Sequence, residues 1–260
     1  LFRSNQALMR VLLAGAVSNL FLLLGGIFFL AFSIREILTQ SLMDAVADAL
    51  YSAATVGFMG SGSIELVIDL IGARTIPTGR YTSKRRWNIL ITILFVLGVC
   101  IDLVAFTFWR KGTTDIPIER RLQWASAHLW LIASIISLVM IFVEAKGWKR
   151  AIETTPDKFD LAGNFFFFAE AVANCIARYV TAPDGPMVDY TEFGIEVCAA
   201  ILWILNALCF LCGDSIRVGT FHKEIVEQQK GGSSPPQSLF AEAEKLEKDE
   251  TQKEMMKLKP

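Results

Sequence analysis

Six stretches of this chain are long and apolar enough to cross a bilayer, and no other feature limits the possible folds so strongly. A helical span takes about 20 mainly apolar residues to cover a hydrocarbon core of roughly 30 Å. Such stretches fall at about residues 8–34, 44–71, 87–109, 121–144, 159–181 and 193–214. In lipid every backbone N–H and C=O must be satisfied internally, so apolar segments of this length fold as helices. The hydrophobic share of 53% and the mean hydropathy of +0.44 agree with that class. The expected fold is all-α: a polytopic membrane bundle of six transmembrane helices, paired as three antiparallel hairpins, over residues 1–216. A linker at 217–233 and a charged amphipathic tail helix at 234–260 complete the expected layout.

The spans share an internal period of one helix plus one loop. Phe21, Phe58, Phe95, Trp130, Phe167 and Trp203 stand near their centres, at intervals of 35 to 37 residues. Three positions before each aromatic stand Ser18, Thr55, Thr92, Ala127, Asn164 and Ala200. Four positions after it stand Gly25, Gly62, Val99, Ser134, Ala171 and Ala207. Offsets of minus three, zero and plus four share one helix face. Small residues on that face let backbones approach closely, which is how helices hold together in lipid. Gly25, Gly62, Ser134, Ala171 and Ala207 are therefore the expected close-packing positions. The glycines and serines of "GSGS" at 60–63 fall on this grid, and they lack the Lys and following Ser/Thr of a phosphate-binding loop.

The segments "FMGSGSIELV" at 58–67, "LFVLGVCIDLV" at 94–104 and "LWLIASIISLV" at 129–139 carry aromatic or aliphatic pairs followed by small and apolar residues. In this the chain resembles the YrhK-like family of small hairpin membrane domains, across its central helices. The resemblance implies three tandem hairpins and brings no settled activity.

Charge distribution sets an expected orientation. With six crossings, fourteen Lys and Arg near the span ends, counted as far as Lys230, lie on the side of the two termini and five on the other. The positive-inside rule then puts both termini in the cytoplasm, or in the stroma or matrix of an organelle. The net charge of −1 and the scattered basic residues exclude a nucleic-acid footprint. The expected partners are the lipid bilayer and other membrane protein subunits, the latter reached through the tail helix with Leu239, Phe240, Ala243 and Leu246. No sequon occurs and all five cysteines lie within spans, so a disulfide-stapled, glycosylated ectodomain is not expected.

Ionisable groups inside spans are costly and turn towards the bundle interior. Counted at 1.5 Å per residue from the central aromatics, His128 and Glu170 lie within about 5 Å of the midplane and Asp102 and Asn174 near 10 Å on the same side. Glu170, Asn174 and Arg178 follow one another at i, i+4 and i+8 on one helix face. Asp102, His128, Glu170, Asn174 and Arg178 thus form a candidate intramembrane polar cluster, read either as a proton- or cation-accessible pocket or as a hydrogen-bonded set that fixes helix register. Glu65, on the other side of the midplane, is the candidate far end of a path. Cys209 and Cys212 form a C-x-x-C without a second, relaying pair, which leaves thiol redox chemistry as a third reading. No catalytic motif, cofactor fingerprint or metal-ligand spacing is present. The leading expectation is a non-enzymatic structural or accessory subunit of a larger membrane assembly; the alternative is a small transporter or channel for protons or cations.

Overall fold

The computed structural model describes residues 2–39, 44–75, 79–110, 116–145, 152–180 and 190–231. They form six long helices: α1 (Phe2–Thr39), α2 (Ala45–Thr75), α3 (Gly79–Arg110), α4 (Ile116–Ala145), α5 (Thr155–Val180) and α6 (Tyr190–Gly231). Each contains an apolar stretch long enough to span a bilayer. The fold is an all-α polytopic bundle, and the protein is an integral membrane protein. α6 runs without a break to Gly231, so residues 217–231 extend the last helix where a linker was expected. The tail helix expected at 234–260 lies outside the described residues.

Local chemistry sets two of the helix starts. Asp44 caps α2, accepting the Val46 amide on Oδ1 at 2.9 Å while Oδ2 takes the Arg35 guanidinium at 2.6 Å. That guanidinium holds the Asp44 carboxyl below the usual carboxylate range. At the start of α5, Thr154 and Asp157 cap each other: the Asp157 amide donates to Thr154 Oγ1 at 3.3 Å and the Thr154 amide to Asp157 Oδ2 at 3.2 Å. Pro156 sits between them in the first turn, where its missing N–H costs nothing.

Each helix packs against its neighbours in sequence, and α6 closes back onto α1, giving a ring of six alternating helices. The end carrying Phe2 and Gly231 is termed proximal here, and the opposite end distal. The ring is turned inside out relative to a water-soluble bundle. Leu20, Leu24, Leu97, Ile132, Ile201 and Leu205 face outwards, while Ser18, Ser126, Asn164, Glu170, Asn174 and Asn206 are buried. Lipid solvates the first set as well as a protein interior would; the second set needs partners that only the bundle supplies.

All twelve positions flanking the aromatic grid are buried, eleven of them small or polar and Val99 the exception, including the expected packing residues Gly25, Gly62, Ser134, Ala171 and Ala207. Phe58, Phe95, Trp130, Phe167 and Trp203 converge on the ring axis. Phe21 does not. It lies on the outer surface across Gly60 of α2, where a Cβ would come 2.8 Å from its ring, and Leu22 takes the axial place instead.

Candidate functional site: two polar chambers around an aromatic layer

Trp203 is the hub of the axial layer. Its ring centre lies 4.9 Å from Phe58, 5.7 Å from Phe95, and 5.8 Å from both Phe167 and Trp130. The side chain is 3% exposed, and its indole Nε1 has no hydrogen-bond partner. Five helices thereby contribute one aromatic ring each to a plug near mid-bundle. A polar chamber borders it on either side, and Trp203 lines both.

The distal chamber is a pocket of about 20 Å³, lined by Tyr51, Thr55, Asp102, Glu170, Asn174 and the aromatic layer. That is room for about one water molecule. Glu170 is 2% exposed; its Oε1 accepts from Asn174 Nδ2, and its Oε2 is buried without a partner. Tyr51 donates its hydroxyl to Asp102 Oδ2 at 2.7 Å and stacks on Phe106 with ring centres 3.7 Å apart. Beyond the chamber, Arg178 of α5 and Glu196 of α6 pair at 3.0 Å with side chains only 13% and 8% exposed.

Four of the five sequence-derived cluster residues therefore gather distally: Asp102, Glu170 and Asn174 around the pocket, and Arg178 in the ion pair outside it. His128 is the exception. Its Nδ1 lies 2.7 Å from the Trp124 carbonyl and its Nε2 3.1 Å from the Tyr179 hydroxyl, at the outer surface of α4 and α5. Since a carbonyl only accepts, Nδ1 carries a proton. The helix interior face runs through Ala127, Trp130, Ala133, Ser134 and Ser137; one residue past Ala127 the chain has turned by about 100°, which carries His128 out of the axis at the same depth.

The proximal chamber is far larger, about 420 Å³, and all six helices line it. Phe95, Phe167 and Trp203 form its floor; Glu65, Thr92, Asn164 and Asn206 stand in its walls. Asn206 is 3% exposed and its Oδ1 is without a partner. At the mouth, Arg217 reaches Asp160 with both terminal nitrogens and Asp214 at 3.1 Å, and Asn19 donates to Asp214 Oδ2 at 2.8 Å. Among the described lining residues three carboxyl groups, Glu65, Asp160 and Asp214, face one guanidinium.

Only Glu65 of this set was a sequence candidate. The signal for the rest is the run Trp203, Asn206, Phe210, Asp214, Arg217, at steps of three and four along α6. Ending the last span at 214 had placed its charged half in a linker. Cys209 and Cys212 are both free thiols on α6, with Cys212 on the exposed side. Among the described residues no three His, Cys, Asp or Glu side chains converge as metal ligands would.

Fold and site together define a six-span membrane protein with acid-lined chambers on its axis. No family model, curated protein or solved structure matches the chain.

Proposed function

We propose that the protein conducts protons or small monovalent cations along the axis of its helix ring, with the Trp203-centred layer as the constriction. One observation carries this: carboxyl groups line a chamber on each side of a single aromatic layer, Glu170 on the distal side being buried, and polar atoms without partners (Asn206 Oδ1, Trp203 Nε1, Glu170 Oε2) occur in both walls and in the layer itself. A chain that needed only to pack would fill this axis with apolar side chains, since each buried polar group left unpaired costs about 1–3 kcal/mol.

The sign of the lining favours cations, and the two chamber sizes define a sequence of steps. The proximal chamber holds a hydrated ion; the distal one admits a single water-sized species, so the solute crosses the layer stripped of most of its shell. Glu170 Oε2 is the acceptor waiting there. An apolar ring of this kind passes ions only when it wets or its rings rotate, which makes it a gate. The excess of basic residues on the side of the termini supports a proximal chamber that opens towards the cytoplasm, stroma or matrix.

The accessory-subunit reading stands as the alternative, to which the axial chambers add nothing. Exposed large hydrophobic side chains are spread over all six helices, as a surface solvated by lipid requires.

Reconstitution tests the proposal. In vesicles loaded with a pH-sensitive dye and clamped with a potassium gradient and valinomycin, the protein should carry a voltage-driven cation flux. Glu170→Gln keeps the hydrogen bond from Asn174 and loses the charge; its flux should fall to that of protein-free vesicles while its helicity and thermal transition persist. Undiminished flux through Glu170→Gln would contradict the proposed route.

A further inference from the structure

We infer that the proximal chamber is a binding site for a small organic ammonium ion, one of about the size of choline, which on binding closes the axial path. The closing part rests on the conduction reading above; the binding part stands without it.

Size separates the two chambers. A volume of about 420 Å³ lies within the range of ligand pockets, roughly 300–1,000 Å³, and far exceeds the share of about 30 Å³ that one water takes. The distal pocket of 20 Å³ cannot take such a molecule. An organic ion entering from the proximal side therefore stops at the aromatic layer.

Charge and shape narrow the class. Arg217 is committed to Asp160 and Asp214, with Asp157 3.8 Å away. Glu65 stands on the α2 wall, and among the described residues no cation pairs with it. An anion would meet these carboxylates with the guanidinium already taken; a cation meets Glu65. The floor of Phe95, Phe167 and Trp203 adds aromatic surface, and an alkylammonium held against such rings gains from their quadrupoles while its methyl groups bury apolar area. Asn206, buried in the same wall with Oδ1 unpartnered, supplies an acceptor for an N–H or O–H of the ligand. A bare metal ion would use neither the volume nor the rings.

The test compares choline with its uncharged carbon isostere, 3,3-dimethylbutan-1-ol, by calorimetric titration of the full chain in nanodiscs. Choline should saturate one site and bind at least about tenfold more tightly than the isostere, the difference being the charge term. Glu65→Gln should remove about that tenfold and leave isostere binding unchanged. Since that variant can fail for reasons of folding, its thermal transition is recorded, and the wild-type comparison stands alone. Absence of saturable choline binding, or equal binding of choline and isostere, overturns the inference. In flux assays choline on the proximal side should block the wild type. Binding without block overturns the closing role; binding to a protein that carries no flux overturns the conduction reading and keeps the site.

Discussion

Glycine gives the residue scale its clearest case. At Gly57 a Cβ would stand 2.7 Å from both Cα and N of Gly25 and 2.9 Å from the Phe21 carbonyl, so α1 and α2 touch backbone to backbone. Backbone cannot rotate away as a side-chain tip can. Gly57→Ala should therefore lower stability by the roughly 1–3 kcal/mol typical of overpacking, although alanine favours a helix. Gly219, with nothing within 4 Å of its would-be Cβ, is the control: Gly219→Ala should leave stability unchanged or raise it by up to about 1 kcal/mol. Thermal unfolding of both variants in one detergent checks this, and equal shifts would contradict the close approach. The sequence grid singled out Gly25 and Gly62 but not Gly57, because Gly57 lies one position before the aromatic Phe58, off the minus-three and plus-four offsets. Its role comes from the partner helix, where Gly25 leaves the space.

The helices themselves were readable from hydropathy, since lipid permits only one solution for a long apolar segment. Depth along each helix was readable too: Asp102, Glu170 and Asn174 all line the pocket on the distal side of the aromatic layer. Azimuth was not. His128 has the right depth and the wrong face, and Phe21 yields the axis to Leu22, because a step of about 100° decides between lipid and axis and each helix is free to rotate until packing fixes it. The ion pair across the third hairpin was equally hidden, since Arg178 and Glu196 belong to different segments and meet only once α5 and α6 have packed. That ion pair makes a prediction for these two elements. Arg178→Met alone takes the guanidinium from the buried Glu196 carboxylate and should cost about 3–5 kcal/mol; Arg178→Met with Glu196→Leu should recover most of it. Thermal unfolding in one detergent reads both values. A double variant no more stable than the single one would mean that the pair does not clamp α5 to α6.

Across the whole molecule, closure of α6 onto α1 is what turns six similar helices into an enclosed axis. The repeat anticipated it in part: one aromatic per helix at a constant depth builds a layer, and small residues above and below bring the helices close enough to close the ring. The two chambers were not legible as such, because a cavity is the space that six faces leave between them and no single segment encodes it. Trp203 sits at their junction, in contact with four of the other rings and lining both volumes. Cation flux through Trp203→Ala in reconstituted vesicles is therefore the most direct measurement of the central claim. Removing the indole should join the chambers and raise the flux well above that of the wild type, and Glu170→Gln in the same background should suppress it again. A Trp203→Ala protein that folds, yet carries no more cation than the wild type, would show that the axis is packing and not a path.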